Sequence, residues 1–143
     1  MSKLISIALS QYGVKEVKGS KDHPQIINYF TSMGFDRMKY RNELTWSSAF
    51  ANWVANEAGY EASKGLSARS WLTVGTSTDA PKQGDVVVLW KRYPSSDEGH
   101  VGFLVKESKR YVYLIGGNQG NSVSIKAYPK SRILDYRKLR KNG

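Results

Sequence analysis

The chain contains no cysteine. That excludes disulfides and thiolate metal sites, and it leaves nothing by which a redox compartment could be read. Only two histidines occur, His23 and His100, so a site built from several imidazoles is excluded as well. No ladder of Asp and Asn has the spacing of a calcium loop. No metal and no other cofactor is expected. Long apolar runs are missing too. None approaches the ~20 residues a membrane helix needs, and stable membrane insertion is not expected. The start, "MSKLISIALSQYG", has no small-x-small cleavage site and no change of composition after it, so it reads as a first helix rather than a signal peptide. Synthesis in the cytoplasm is expected, with any action in the periplasm or wall requiring release by other means.

Acidic residues are scarce: 12 Asp plus Glu stand against 22 Lys plus Arg, for a net charge of +10. Seven of the cations fall between Lys126 and Lys141. A polyanionic partner is one reading, whether nucleic acid, an anionic membrane or an acidic wall polymer. A solvated basic surface that aids solubility is the other. The 143 residues are 40% hydrophobic and 12% aromatic, enough to build one real core. One domain over residues 1–143, working as a monomer, is the expectation.

Periodicity divides the chain. Pro24 at a first-turn position opens "PQIINYFTSMG", which Gly34 closes. "WSSAFANWVANEAG" carries a helical apolar stripe of Phe50, Trp53, Val54 and Ala58 and stops at Gly59. "SARSWL" predicts a shorter helical piece. Strands follow: "GDVVVLW", "HVGFLVKE", "YVYLIGG", "SVSIKAY" and "RILDY". Helices first and an antiparallel meander after them give an α+β fold.

Three positions could carry chemistry. Ser47 lies where a loop is expected to enter a helix. His100 heads a strand, and Asn118 ends the next one. With Ser108–Arg110 as a three-residue hairpin loop, Glu107 pairs with Tyr111. His100 then lies across from Asn118, and Gly102 across from Gly116. Facing residues sit about 4.5–5.5 Å apart at Cβ, close enough for a side-chain hydrogen bond. A two-residue loop would instead send the pair to opposite faces. Taken singly, His100 reads as an ordinary strand-edge histidine and Asn118 as a turn residue. Taken together they form nucleophile, base and orienting amide. A helix N-terminus favours an anionic nucleophile and offers free amides to an oxyanion. It suits a thiol, which titrates near ~8.5 and is easily lowered. A serine hydroxyl is a much weaker acid and needs a base with a carboxylate behind it. Asparagine does not supply that charge.

The segments "TWSSAFANWVANEAG", "SARSWL", "PKQGDVVVLW", "GHVGFLV" and "GGNQGNSVSIKAYPKSRILDYR" together resemble a small NlpC/CHAP-type cysteine peptidase domain. More narrowly they resemble the compact bacterial and phage subfamily with the motif Trp-Cys-Ser-Ala-Phe-Val-Asn-Trp. The resemblance implies a papain-like fold, with a nucleophile helix packed on an antiparallel sheet. It also implies cleavage of amide bonds in peptidoglycan peptides. It places the nucleophile at Ser47, the base at His100 and the orienting residue at Asn118; if Asn118 proves dispensable, Gln119 is the next residue to test for that role. Serine at position 47 departs from the family's cysteine. It is read foremost as an engineered Cys-to-Ser change, against a natural pseudoenzyme or a genuine serine enzyme.

Substrate contacts are expected from Trp46, Glu43, Arg69, Trp71 and Gln119. Core packing stands as the alternative for the tryptophans, and a solvated loop or exposed helix for Glu43 and Arg69. Peptidoglycan is the expected substrate, with anionic wall or outer-membrane polymers as further partners. A phage endolysin is the preferred setting, with a secreted antibacterial amidase and its immunity protein as the alternative. A nucleic-acid-binding module is the rival from another class, although no recognition helix or stacking motif is evident.

Overall fold

In a computed structural model, residues 2–17, 23–40 and 43–143 are described, the side chains of 43 and 44 excepted. Three helices precede the sheet: α1 (Lys3–Leu9), α2 (Pro24–Thr31) and α3 (Glu43–Ala58). The stretch read as "SARSWL" is a short 3-10 helix, Ala68–Thr73. Six strands follow: β1 (Thr76–Ser77), β2 (Val86–Trp90), β3 (Gly99–Glu107), β4 (Tyr111–Gly116), β5 (Ser124–Pro129) and β6 (Ile133–Lys138). They form one antiparallel sheet in the order β1-β6-β2-β3-β4-β5. The fold is α+β, as the patterning predicts, but the strands do not run as the expected meander: β6 returns across the sheet to pair with β2 rather than following β5, and β1 lies outside the strands read from the sequence.

Local chemistry explains the helix boundaries. His23 caps α2: its Nδ1 accepts the Gln25 N–H at 3.0 Å, while Pro24 starts the helix with no amide to satisfy. That is a helix-capping role. Gly59 ends α3 at φ 80, a left-handed turn that glycine adopts without a Cβ clash.

The sheet has two apolar faces. Val86, Val88, Val101, Phe103 and Ile115 pack with the helices, including Trp46, Phe50 and Val54 of α3. Val87, Leu89, Leu104, Val112, Leu114 and Tyr128 form a smaller cluster on the other face. One close approach sets where α3 rests. A Cβ built on Gly117 would lie 2.6 Å from the Trp46 ring and 2.8 Å from the Phe50 Cβ. Only glycine lets the end of β4 lie against this helix.

The hairpin between β3 and β4 differs from the expected one in two compensating ways. Glu107 pairs with Val112, and Ser108 N–H closes a two-residue loop onto the Tyr111 carbonyl at 2.9 Å. A bulge at Val105 then absorbs the offset, so Phe103 faces Ile115 and Leu104 faces Leu114. Near His100 the alignment is therefore the one a three-residue loop would have given.

Candidate active site

α3 begins at Glu43, so Ser47 lies in its second turn rather than at its tip. The field of a helix terminus fades within the first turn, so Ser47 receives less of it than a residue at the helix start. The two serines of "WSS" divide their tasks. Ser48 is buried and tied in: its Oγ donates to the Gly65 carbonyl at 2.7 Å and accepts the Trp71 indole N–H at 2.9 Å. Asn52, one turn on, donates to the Ser48 carbonyl at 2.9 Å and accepts the Lys64 N–H at 2.7 Å. Ser47 is 2% exposed, and its hydroxyl has no hydrogen-bond partner among the described residues.

His100 is also 2% exposed. It pairs with Leu89 across β2, which puts its ring on the sheet face of Leu104 and Tyr128, while Val101 and Phe103 face α3. Its Nε2 lies 2.9 Å from Gln119 Oε1 and 3.1 Å from the Tyr128 hydroxyl, and the two rings tilt together at 5.2 Å. The Gln119 amide cannot turn round without loss. Its NH₂ donates to the Leu114 carbonyl at 3.0 Å and to the Ser124 carbonyl at 2.6 Å. Oε1 must therefore face the imidazole, and the ring must carry its proton on Nε2. Nδ1 is left as a lone pair with no partner among the described residues.

Burial disfavours the imidazolium and pushes the His100 pKa down to about 4. The Gln119 bond works the other way, while the cations of Lys91, Lys126 and Arg132 add to the depression. The ring is a neutral base at pH 7. Burial also raises the Tyr128 phenol above its ordinary value, so it stays protonated. Lys126 Nζ lies 5.4 Å and the Arg132 guanidinium 6.0 Å from the centre of the Tyr128 ring.

A cleft lies beside both residues without being lined by either: Thr45, two positions before Ser47, and Gly99, next to His100, both line it. Tyr40, Leu66, Ser67, Ala68, Asp97 and Glu98 complete the lining. Trp46 in turn touches Gly117, two residues before Gln119. No hydrogen bond joins Ser47 to His100 among the described residues. Asn118 occupies a left-handed turn position, φ 59, just past the end of β4, and the residue that holds the His100 ring is Gln119.

The expected substrate contacts fare differently. Trp46 and Trp71 are both wholly buried. Trp46 donates its indole N–H to Glu16 Oε1 at 2.6 Å, and Trp71 donates to Ser48. Neither presents surface to a substrate, so core packing corrects the expectation for both. Arg69 is half-buried beside the cleft, and its NH2 donates to the Pro94 carbonyl at 3.0 Å. The side chain of Glu43 lies outside the described residues. Gln119 is 2% exposed and spent on His100 and two carbonyls. The residue that sequence reasoning missed is Tyr128. Its place in a strand gives no sign that its hydroxyl reaches a histidine 28 residues earlier.

Among the described residues no helix is long and apolar enough to cross a membrane, and no group of three or more His, Asp and Glu could hold a metal. A search of curated proteins finds no match. Among solved structures, the chain is similar in fold to a lipoprotein-like protein of the NLP/P60 family from Staphylococcus aureus, with a TM-score of 0.51 and 17% identity. The likeness covers 94% of this chain but only 40% of that protein, so the chain spans well under half of its length. The sequence profile of the CHAP domain matches residues 39–118, more than half of the chain and inclusive of Ser47, His100 and Asn118. The chain belongs to the CHAP domain family.

Proposed function

We propose that the chain is a cell-wall amidase or endopeptidase fold whose reaction is weakened or abolished by serine at position 47. The observation that carries the reading is the fixed His100 ring. Gln119 holds the proton on Nε2, which leaves Nδ1 as a neutral lone pair able to take a proton at pH 7. In the reaction, Nδ1 removes the proton of the nucleophile at 47, which attacks the carbonyl carbon of a peptide amide. The tetrahedral adduct collapses as the imidazolium gives its proton to the leaving amine. Water, deprotonated by the same nitrogen, then releases the acyl group as a carboxylic acid. Residue 47 and Nδ1 have no direct bond, so this scheme requires them to meet across bound substrate or an intervening water.

Serine suits this site poorly. A base depressed to about 4 is weak, and among the described residues no carboxylate stands behind it to favour the imidazolium. A thiol ionises far more readily, and its thiolate would itself raise the neighbouring imidazole. Ser47→Cys should therefore turn a chain of little or no activity into one that clears peptidoglycan suspensions and releases peptide fragments, blocked by alkylation and by His100→Ala. A folded Ser47→Cys protein that binds sacculi and releases nothing refutes the enzymatic reading. High activity of the serine chain itself would instead establish a serine enzyme.

The setting we attach to this chemistry is phage-driven lysis, with the domain reaching the wall after release from the cytoplasm. An antibacterial amidase delivered by a secretion machine predicts a tight-binding immunity protein that blocks the cleft. The excess of cations supports a wall rich in anionic polymer as the place of action.

A further inference from the structure

The hairpin joining β3 and β4 and the turn after β5 meet at one end of the sheet. There Lys109, Arg110, Tyr111, Pro129, Lys130 and Ser131 line a groove. The two loops are fastened by the Lys130 N–H, which donates to the Arg110 carbonyl at 2.8 Å. Between residues 106 and 132 the sequence carries six cations and a single carboxylate, Glu107. That carboxylate is already matched to Lys130 at 3.4 Å. Lys109 and Arg110 are exposed and have no ion-pair partner among the described residues. The groove is therefore a cationic cradle with charge to spare. Tyr111, 44% exposed, and Pro129 add a flat, weakly polar wall.

We infer that this groove is a docking site for a phosphodiester-linked wall polymer. Arg110 can grip a phosphate through two parallel N–H donors and Lys109 can follow as a point charge. Tyr111 and Pro129 would lie along the polyol units between phosphates. One exposed aromatic ring is too little for the run of stacking platforms that single-stranded nucleic acid needs, and charge complementarity favours a polymer of simple repeating anions. β4 runs from Tyr111 at the groove to Gly116 beside Gln119. At ~3.4 Å per residue this places the anchor about 17 Å from the His100 end. The choice of a wall polymer rests on the proposed function; the site itself does not.

The test is equilibrium binding of fluorescently labelled polyglycerol phosphate to the full chain over a salt series. Lys109→Glu with Arg110→Glu should weaken binding at least about tenfold and flatten its salt dependence, because counterion release scales with the phosphates contacted. The neutral pair Lys109→Gln with Arg110→Gln should give a smaller loss in the same direction and guards against misfolding of the reversed protein. Lys3→Glu with Lys82→Glu, an equal change of charge elsewhere on the exposed surface, should cost less than about threefold. Equal losses from the two reversals would overturn the site in favour of net charge alone. Tighter, tip-dependent binding of single-stranded DNA would overturn the choice of partner. Hydrolysis of a soluble stem peptide by the Ser47→Cys chain reads the catalytic proposal separately. Tip reversals should leave it unchanged, and a chain inert in hydrolysis that still binds polymer through the tip supports the anchor while refuting the enzyme.

Discussion

Consider replacing His100 by glutamine, a neutral amide that cannot titrate. In the native protein His100 is depressed to about 4 from an ordinary 6.5. The unfolded chain then binds a proton at this position across a pH range in which the folded chain does not. Stability contributed this way is full above the unfolded value and drains away as pH falls. The two values give a loss of about 1 kcal/mol at pH ~6, about 2 at pH ~5 and about 3 at pH ~4, with a limiting slope of ~1.4 kcal/mol per unit. The His100→Gln chain should lack this component while keeping the rest of the pH dependence. Urea or guanidinium unfolding at half-unit steps from pH ~8 to ~4 measures both proteins, and the difference between their curves isolates the ring. Following the His100 Cε1 proton by NMR supplies a second reading. Parallel curves for the two proteins, or a ring that titrates near or above ~6.5, would refute the picture of a sealed, neutral base.

Two further outcomes test the site's construction. In a Ser47→Cys background, Gln119→Leu strips the Nε2 proton of its acceptor and leaves the Leu114 and Ser124 carbonyls without their donor. It should cost about 2–3 kcal/mol of stability and lower turnover more than Asn118→Ala does; the reverse ranking would return the orienting role to Asn118. Gly117→Ala places a Cβ 2.6 Å from the Trp46 ring, so it should destabilise by about 1–3 kcal/mol and lower the melting temperature by about 2–4 °C per kcal/mol; an unchanged melting temperature would mean that α3 does not rest there.

Five of the six strands were legible because β-branched runs bounded by glycine and polar turns have one reading, and α2 was legible from its proline and glycine ends; the two-residue β1 and the return of β6 to the β2 edge were not, since pairing order is set by tertiary packing rather than by local pattern. The hairpin shows where pattern stops. A bulge at Val105 and a two-residue loop produce the same facing residues as a longer loop with no bulge, and hydropathy does not separate them. The start of α3 was placed too late because nothing in "NELT" interrupts a helix, while the paired serines looked like a cap. The tryptophans invite a substrate role by their chemistry, yet both are sealed, since burial is decided by the elements packed around them rather than by the residue. Gln119 outranks Asn118 at the ring for a similar reason: β4 ends at Gly116, and the longer amide reaches back from the turn.

The division of labour between the adjacent serines bears on how such a chain can change over generations. Ser48 is woven into the junction of α3 with the segment around Gly65 and Trp71, whereas the Ser47 hydroxyl makes no hydrogen bond among the described residues. If position 47 carries the nucleophile, as proposed, a lineage could exchange the group there without breaking a side-chain hydrogen bond of the scaffold. Under the proposed function, the step between cutting a wall polymer and only binding it would be a single substitution at position 47. At the next residue along, the same kind of substitution would leave the Gly65 carbonyl and the Trp71 indole N–H without their partner.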